Sequence, residues 1–169
     1  RGTSLAAIAA RVGGITAQGV LHHFGTKEAL LLEVLRARQR EFATVREGQT
    51  PDGFAAHLRT VVEMMKAKPG IPQSMMVLSA DSVTDGHPAH DFFVERYAGL
   101  RSLFSTELAR ELGDPLPGGL SAESAATLLI AMLDGLRLQW LLDPERVDIA
   151  ARMDDFLAVL APGLADGRG

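Results

Sequence analysis

From Thr3 to Phe24 the chain reads TSLAAIAARVGGITAQGVLHHF. Thr3 and Ser4 stand just before Leu5, Ile8, Ala9 and Val12, apolar positions at helical spacing behind hydroxyls suited to cap a helix start. Gly13 and Gly14 end that segment, and Thr16 can cap a second short helix running to Phe24. Two short helices on a tight glycine-containing turn follow the helix-turn-helix plan, although an ordinary helical hairpin with capping residues fits the spacing too. In the first reading the second helix enters the major groove of DNA. Gln18 can then pair bidentately with adenine, and His22 can meet a base edge or a phosphate. Thr16, Ala17 and Gly19 are small enough for close approach. Thr3, Ser4, Thr26 and Lys27 sit at helix starts, where hydroxyls, free N–H groups and an ammonium can grip phosphate.

Outward from that stretch the helical period continues and strand signals are nearly absent, so the expected fold is all-α. Thr26 opens a helix to about 46, followed by a hinge-like linker at 48–53 containing Pro51. Further helices are expected at about 53–67, from Pro72 to Val83, at about 89–112, at 121–142 and at about 144–161, with Pro144 in the first helical position of the last. The tail from Gly163 should be loose. The division expected is a DNA-binding head with its connecting helix at 1–47 and an effector-binding and dimerisation body at 48–169.

Charge follows the same division. The net charge is −4, which alone argues against a nucleic-acid binder. Residues 1–47 hold seven Lys/Arg and four Asp/Glu, a net +3, and residues 48–169 hold ten and seventeen, a net −7. A basic head on an acidic body is what a protein needs when only its head meets phosphate. Hydrophobic residues make up 47% of the chain, enough for a core. Cysteine is absent, which excludes disulfides and thiolate metal sites. No basic-then-apolar leader is seen, and the longest apolar run, from about Ala125, stops at Asp134, short of a membrane span. A cytoplasmic protein with no membrane partner is expected.

The residues already quoted, with Thr26-Lys27-Glu28-Ala29-Leu30 after them, resemble the DNA-binding motif of the TetR family of transcriptional regulators. The shared features are an Ile-Ala pair, a small-Gly turn, a Ser/Thr cap, a Leu-rich His-Phe stretch and a Thr-Lys-Glu-x-Leu helix start. Looser likeness runs through His87-Pro88-Ala89-His90 with Arg96-Tyr97, Leu133-Asp134-Gly135-Leu136, and Gln139 through Glu145. Three departures stand out. The family's first helix, which would precede Thr3, is missing from these residues; the turn at Val12-Gly13-Gly14-Ile15 is one residue longer than usual; and Leu21 replaces the usual Tyr. The resemblance implies a homodimeric repressor, not an enzyme, that leaves double-stranded operator DNA when a small apolar effector binds its body. DNA contacts are then expected from Thr3, Ser4, Thr16, Ala17, Gln18, Gly19, His22, His23 and Lys27. No cofactor and no metal is implied. The alternative is a helical dimerisation module without a DNA role.

In the body, Met64, Met65, Met75, Met76, Phe93, Phe104 and Met132 are candidates for an effector pocket between the 53–67, 89–112 and 121–142 helices, because Met adapts to irregular apolar ligands. Plain core packing would account for the same residues. His87, His90 and Asp91 have a spacing open to metal, but equally to helix capping. No Ser/His/Asp or paired-carboxylate constellation is recognisable. The 121–142 helix is apolar nearly all round, so it must be buried nearly all round. Either its own chain wraps it or a second subunit covers one face. The dimer reading takes Leu129, Leu133, Leu136, Trp140, Met153, Phe156 and Leu160 as interface, in a four-helix bundle of two hairpins.

Overall fold

The structure, a computed structural model, describes residues 4–48 and 53–160, without the side chains of 41–48. Among the described residues there are eight helices and no strand: α1 Leu5–Val12, α2 Ala17–Phe24, α3 Lys27–Gly48, α4 Phe54–Ala67, α5 Gly70–Asp81, α6 His90–Leu112, α7 Ala122–Leu142 and α8 Ile149–Leu160. The all-α expectation holds. Thr3, most of the expected linker and the tail from Gly163 lie outside the described residues.

Local chemistry sets the helix ends. Ser4, Thr16 and Ser121 sit in extended backbone, and their hydroxyls accept from Ala7, Gly19 and Ser124 N–H, which satisfies donors that a helix start leaves open. The turn between α1 and α2 needs two left-handed residues in succession. Gly13 and Gly14 supply φ of 72° and 70°, which side-chain-bearing residues adopt only at a cost. α4 begins without a cap of its own. The Phe54 N–H instead donates to Glu111 Oε1 of α6 at 2.8 Å. Two boundaries differ from expectation. α5 starts at Gly70, almost directly after α4. α8 starts at Ile149, because Asp143 and Pro144 close α7 in a turn and Asp148 caps the new helix by accepting from the Ala150 and Ala151 N–H groups.

The body core gathers Phe54, Leu58 and Val62 of α4, Phe104 and Leu108 of α6, Leu129 and Leu133 of α7, and Ile149, Met153 and Leu157 of α8. Phe54 and Phe104 meet edge to face at 5.0 Å, the arrangement that aromatic quadrupoles prefer. The Arg59–Asp154 ion pair at 2.9 Å joins α4 to α8. A smaller cluster of Leu35, Ala89, Phe92 and Phe93 seats α3 on α6, so the connecting helix is packed on the body.

α7 is long and apolar enough, by length and composition, to cross a membrane, which corrects the expectation drawn from its uninterrupted apolar run. Here it is a core helix on one face only. Leu129 is fully buried, whereas Leu128, Leu138 and Leu142 are 52%, 48% and 77% exposed. The described residues do not wrap α7 on every side.

Candidate functional site

Two places carry chemistry: the outer face of α1–α2 and a cavity in the body. In the head, Ala9 and Val20 are buried, and Ala17 and Phe24 are partly buried on the same side of α2 as Val20. Spacings of three and four therefore turn Gln18, Leu21 and His22 outward, and all three are exposed, as are His23 and Lys27. Leu21, which stands where the family usually has Tyr, does not pack inward. The Ser4, Thr16 and Thr26 hydroxyls each accept a backbone N–H, from Ala7, Gly19 and Ala29, at 3.0–3.1 Å. A hydroxyl that accepts in this way keeps its own O–H free to donate to an anion. Capping and phosphate contact are thus compatible at these residues.

Gly19 and Ala17 are small for a different reason from the one expected. A Cβ on Gly19 would come within 3.1 Å of Ile15 Cγ1 and 3.5 Å of Thr16 Oγ1. The missing side chain makes room for the turn, not for an outside partner. Ala17 faces partly inward. Of the small residues proposed for close approach, only Thr16 is exposed.

The body cavity has a volume of about 340 Å³ and lies among α4, α5, α6 and α7, with Gln39 of α3 on its rim. Leu58, Val61, Met65, Ile71, Leu100, Leu103, Phe104 and Ile130 give it apolar walls. Met65, Met75 and Phe104 line it as expected, and α5 is a wall that the helical pattern had not assigned to it. Met64, Met76, Phe93 and Met132 do not line it. Phe93 is buried in the α3–α6 cluster instead, and Met132 packs on the main core.

The polar side of the cavity escaped the sequence reading altogether. It comprises His57, Arg96, Tyr97, Asp134 and Arg137. The Tyr97 hydroxyl donates to Asp134 Oδ2 at 2.6 Å, and Arg137 Nη1 donates to Asp134 Oδ1 at 2.9 Å. Burial, reinforced by the hydrogen bond and the charge of Asp134, pushes the Tyr97 phenol up to about 12, so it stays neutral at ordinary pH. Burial, together with the neighbouring Arg137 charge, pushes the Arg96 guanidinium down. Arg137 Nε is buried without a hydrogen-bond partner. The signal was present in the sequence: Asp134 and Arg137 fall one turn apart inside an otherwise apolar helix, and a charge there needs a partner.

His87 and His90 serve the local backbone. His87 Nδ1 accepts from the Ala89 N–H at 3.2 Å, and His90 Nδ1 lies 3.0 Å from the Ser82 carbonyl oxygen.

The expected dimer residues divide by burial. Leu129 and Met153 have no accessible surface in a single protomer, and Leu133 and Trp140 are buried as well. These four build the protomer's own core: Leu129 and Met153 have no surface to offer a partner, which corrects their assignment to the interface, and Leu133 and Trp140 keep only 9% each. Leu136, Phe156 and Leu160 are partly buried against that core. The outward stripe of α7 is instead Leu128, Ala131, Gly135, Leu138 and Leu142, at spacings of three and four. A Cβ on Gly135 would meet nothing within 4 Å. On α8, Val159 is 82% exposed.

Compared with known proteins, residues 83–162 match the family model described as the C-terminal domain of BetI-type transcriptional repressors. That span takes in α6, α7 and α8, and so two of the four helices that wall the cavity, since α4 and α5 lie before it. No curated protein and no solved structure matches the chain.

Proposed function

The chain is a TetR-family transcriptional regulator, and from that premise we propose that it is a dimeric DNA-binding repressor released from its operator by a small effector held in the body cavity. The observation that carries this reading is the joint presence of the capped helix-turn-helix, with Gln18 and His22 turned outward, and the mostly apolar cavity in the body, with Gln39 of α3 beside it. In this reading residues 1–47 form the DNA-binding part and 48–169 the effector and dimer part, and the protein works in the cytoplasm. Gln18 reads a base edge, and Lys27, Ser4, Thr16 and the histidines His22 and His23 hold phosphate or sugar.

The dimer forms through the outward stripe of α7 and the outer face of α8. Ala131 and Gly135 allow a partner helix close, while Leu128, Leu138, Leu142 and Val159 supply apolar area. Two protomers on a two-fold axis would set their recognition helices one DNA turn apart, about 34–36 Å. The effector acts through Met75 and Tyr97. Both line the cavity, and both pack on the cluster that holds Leu31, Leu32 and Leu35 of α3. A ligand that displaces them tilts α3, which begins at Lys27, directly after α2. Coupling of about 1–3 kcal/mol is typical of such switches.

A gel-shift titration on DNA from upstream of the protein's own gene tests the reading, with random DNA as competitor and light scattering for mass. Retarded DNA that survives the competitor, from a species of twice the chain mass, is the expected result. A monomer, or equal affinity for random DNA, would leave only the helical dimerisation or scaffold alternatives.

A further inference from the structure

The charge balance of the cavity is uneven. Among the described residues, two guanidinium groups, Arg96 and Arg137, line it against a single carboxylate, Asp134. Both oxygens of that carboxylate are already engaged, Oδ1 by Arg137 and Oδ2 by the Tyr97 hydroxyl. Tyr97 remains a neutral phenol and supplies no counter-charge. Arg96 therefore faces the cavity without a hydrogen bond to that carboxylate, whose charge alone reaches it, and among the described residues Arg137 Nε is buried with no acceptor. A guanidinium taken from water without a counter-ion is costly, and a buried N–H without an acceptor adds to that cost. An unsatisfied buried group calls for an explanation, and a ligand that brings an acceptor supplies one.

We propose that the effector is an amphipathic organic anion, a carboxylate on an apolar tail, whose head group is held by Arg96 and Arg137 and whose tail lies along Leu100, Leu103, Phe104 and Ile130. The inference rests on the reading of this cavity as the effector site. Arg is the side chain best suited to the head group, because its planar fork matches a carboxylate with two parallel hydrogen bonds. A cationic head group fits poorly. It would meet two like charges, and the one carboxylate is spent. Among the described residues the aromatic lining is Tyr97, Phe104 and the imidazole of His57, short of the cage that quaternary ammonium ligands require. At roughly 30 Å³ for a water-sized group, the cavity of about 340 Å³ holds on the order of ten non-hydrogen atoms. That suits a medium-length carboxylate.

The test is calorimetric titration of the full protein with three ligands that share one tail: octanoate, octanol and octyltrimethylammonium. Octanoate should bind more tightly than octanol by roughly ten- to a hundredfold, the size of one charge-assisted hydrogen bond. The ammonium should bind more weakly than either. Arg96→Met should bring octanoate down to the level of octanol and leave octanol unchanged, and Arg96→Lys should keep part of the preference. Thermal melting checks that the variants fold; if Arg96→Met does not, the ligand series on the unmodified protein decides alone. Equal binding of acid and alcohol, tighter binding of the ammonium, binding of none of the three, or an unchanged preference in a folded Arg96→Met would each overturn the proposal. Gel shift on the upstream DNA keeps the two readings apart. Octanoate that binds without releasing DNA leaves the ligand class standing and removes the effector role. Release by the ammonium alone keeps the effector role and removes the anion.

Discussion

The head and the body are built from the same kind of helix, but they are held together by very different amounts of buried surface. Between Ser4 and Phe24 only Ala9 and Val20 are buried, and the geometry depends on caps and on two left-handed glycines. The body holds a continuous core from Phe54 to Leu157. The difference teaches where each part keeps its chemistry. The head places its candidate chemistry on the outside, and a few backbone constraints suffice to present it. The body encloses its candidate chemistry, and only packing can arrange that. A change in the head should therefore alter what is touched, whereas a change in the body should alter what is held.

The largest effect is expected where the body in turn presents an outer face. Gly135→Leu puts a large side chain into open space within a single protomer, and replacing a mid-helix Gly favours the helix by about 1 kcal/mol. The protomer should fold at least as well as before, yet a partner helix could no longer approach. Loss of the second half-site contact should weaken operator binding by about 10²–10⁴-fold. Phe156→Glu on α8 should act in the same direction. A Gly135→Leu protein that remains a dimer by light scattering would move the interface away from α7.

Next comes the contrast in stability. Leu129 is fully buried in the body core, and Leu129→Ala should cost about 2–5 kcal/mol, read from the body's denaturant midpoint. Val20→Ala in the head removes two methyl groups from a small cluster and should cost roughly 1–2 kcal/mol. Its effect should appear as lost DNA binding with little change in the main unfolding transition. Equal shifts of that transition in both variants would mean that the head and the body unfold as one unit, and the contrast would fail.

On the head surface the expected effects are smaller and differ in kind. Gln18→Ala should relax the preference at one base pair by about 1–3 kcal/mol, and Lys27→Ala should weaken all sequences alike and flatten the salt dependence. Competition gel shifts against single-base operator variants separate the two. If Gln18→Ala loses equally on operator and random DNA, Gln18 is not a base reader.

How much of this was legible in advance follows from the same contrast. Helix-turn-helix caps and glycines are local signals, so α1, α2 and the start of α3 were readable residue by residue. The α7 helix was readable as a helix, and as one needing cover on two sides, but not in phase. With Leu128, Leu129, Leu136 and Leu138 all apolar, hydrophobicity cannot say which of them faces inward. The choice is made by the volumes of α4, α6 and α8 around it, which is why Leu129 and Met153 were assigned to the wrong face. The cavity suffered in the same way. Methionine content pointed to Met65 and Met75 but also to Met64 and Met76, their chain neighbours on other faces of the same helices. The charged side of the cavity is assembled from α4, α6 and α7, and no single stretch of sequence displays it.

The smallest effect is also the most specific to the body. Tyr97 is the only tyrosine in the chain, so the absorbance of its phenolate can be titrated without interference. Its hydrogen bond to Asp134 and its burial push its pKa from the ordinary 10.0 to about 12, with burial the larger cause. A raised pKa means that the folded state holds the proton more tightly than the unfolded chain does. That contribution to stability is complete below pH 10 and is lost as pH rises through about 12. The native protein should thus titrate near 12 and the urea-unfolded chain near 10. Asp134→Asn removes the charge but not the burial, so it should bring the native value down without restoring the ordinary one. Thr16→Ala, which removes only the cap of α2, should leave the titration where it was. A native phenol that ionises near its ordinary value would mean that Tyr97 is neither buried nor bonded to Asp134. One oxygen of that carboxylate would then be open to Arg96, and an anion would be called for by the charge count alone, without an unpaired guanidinium.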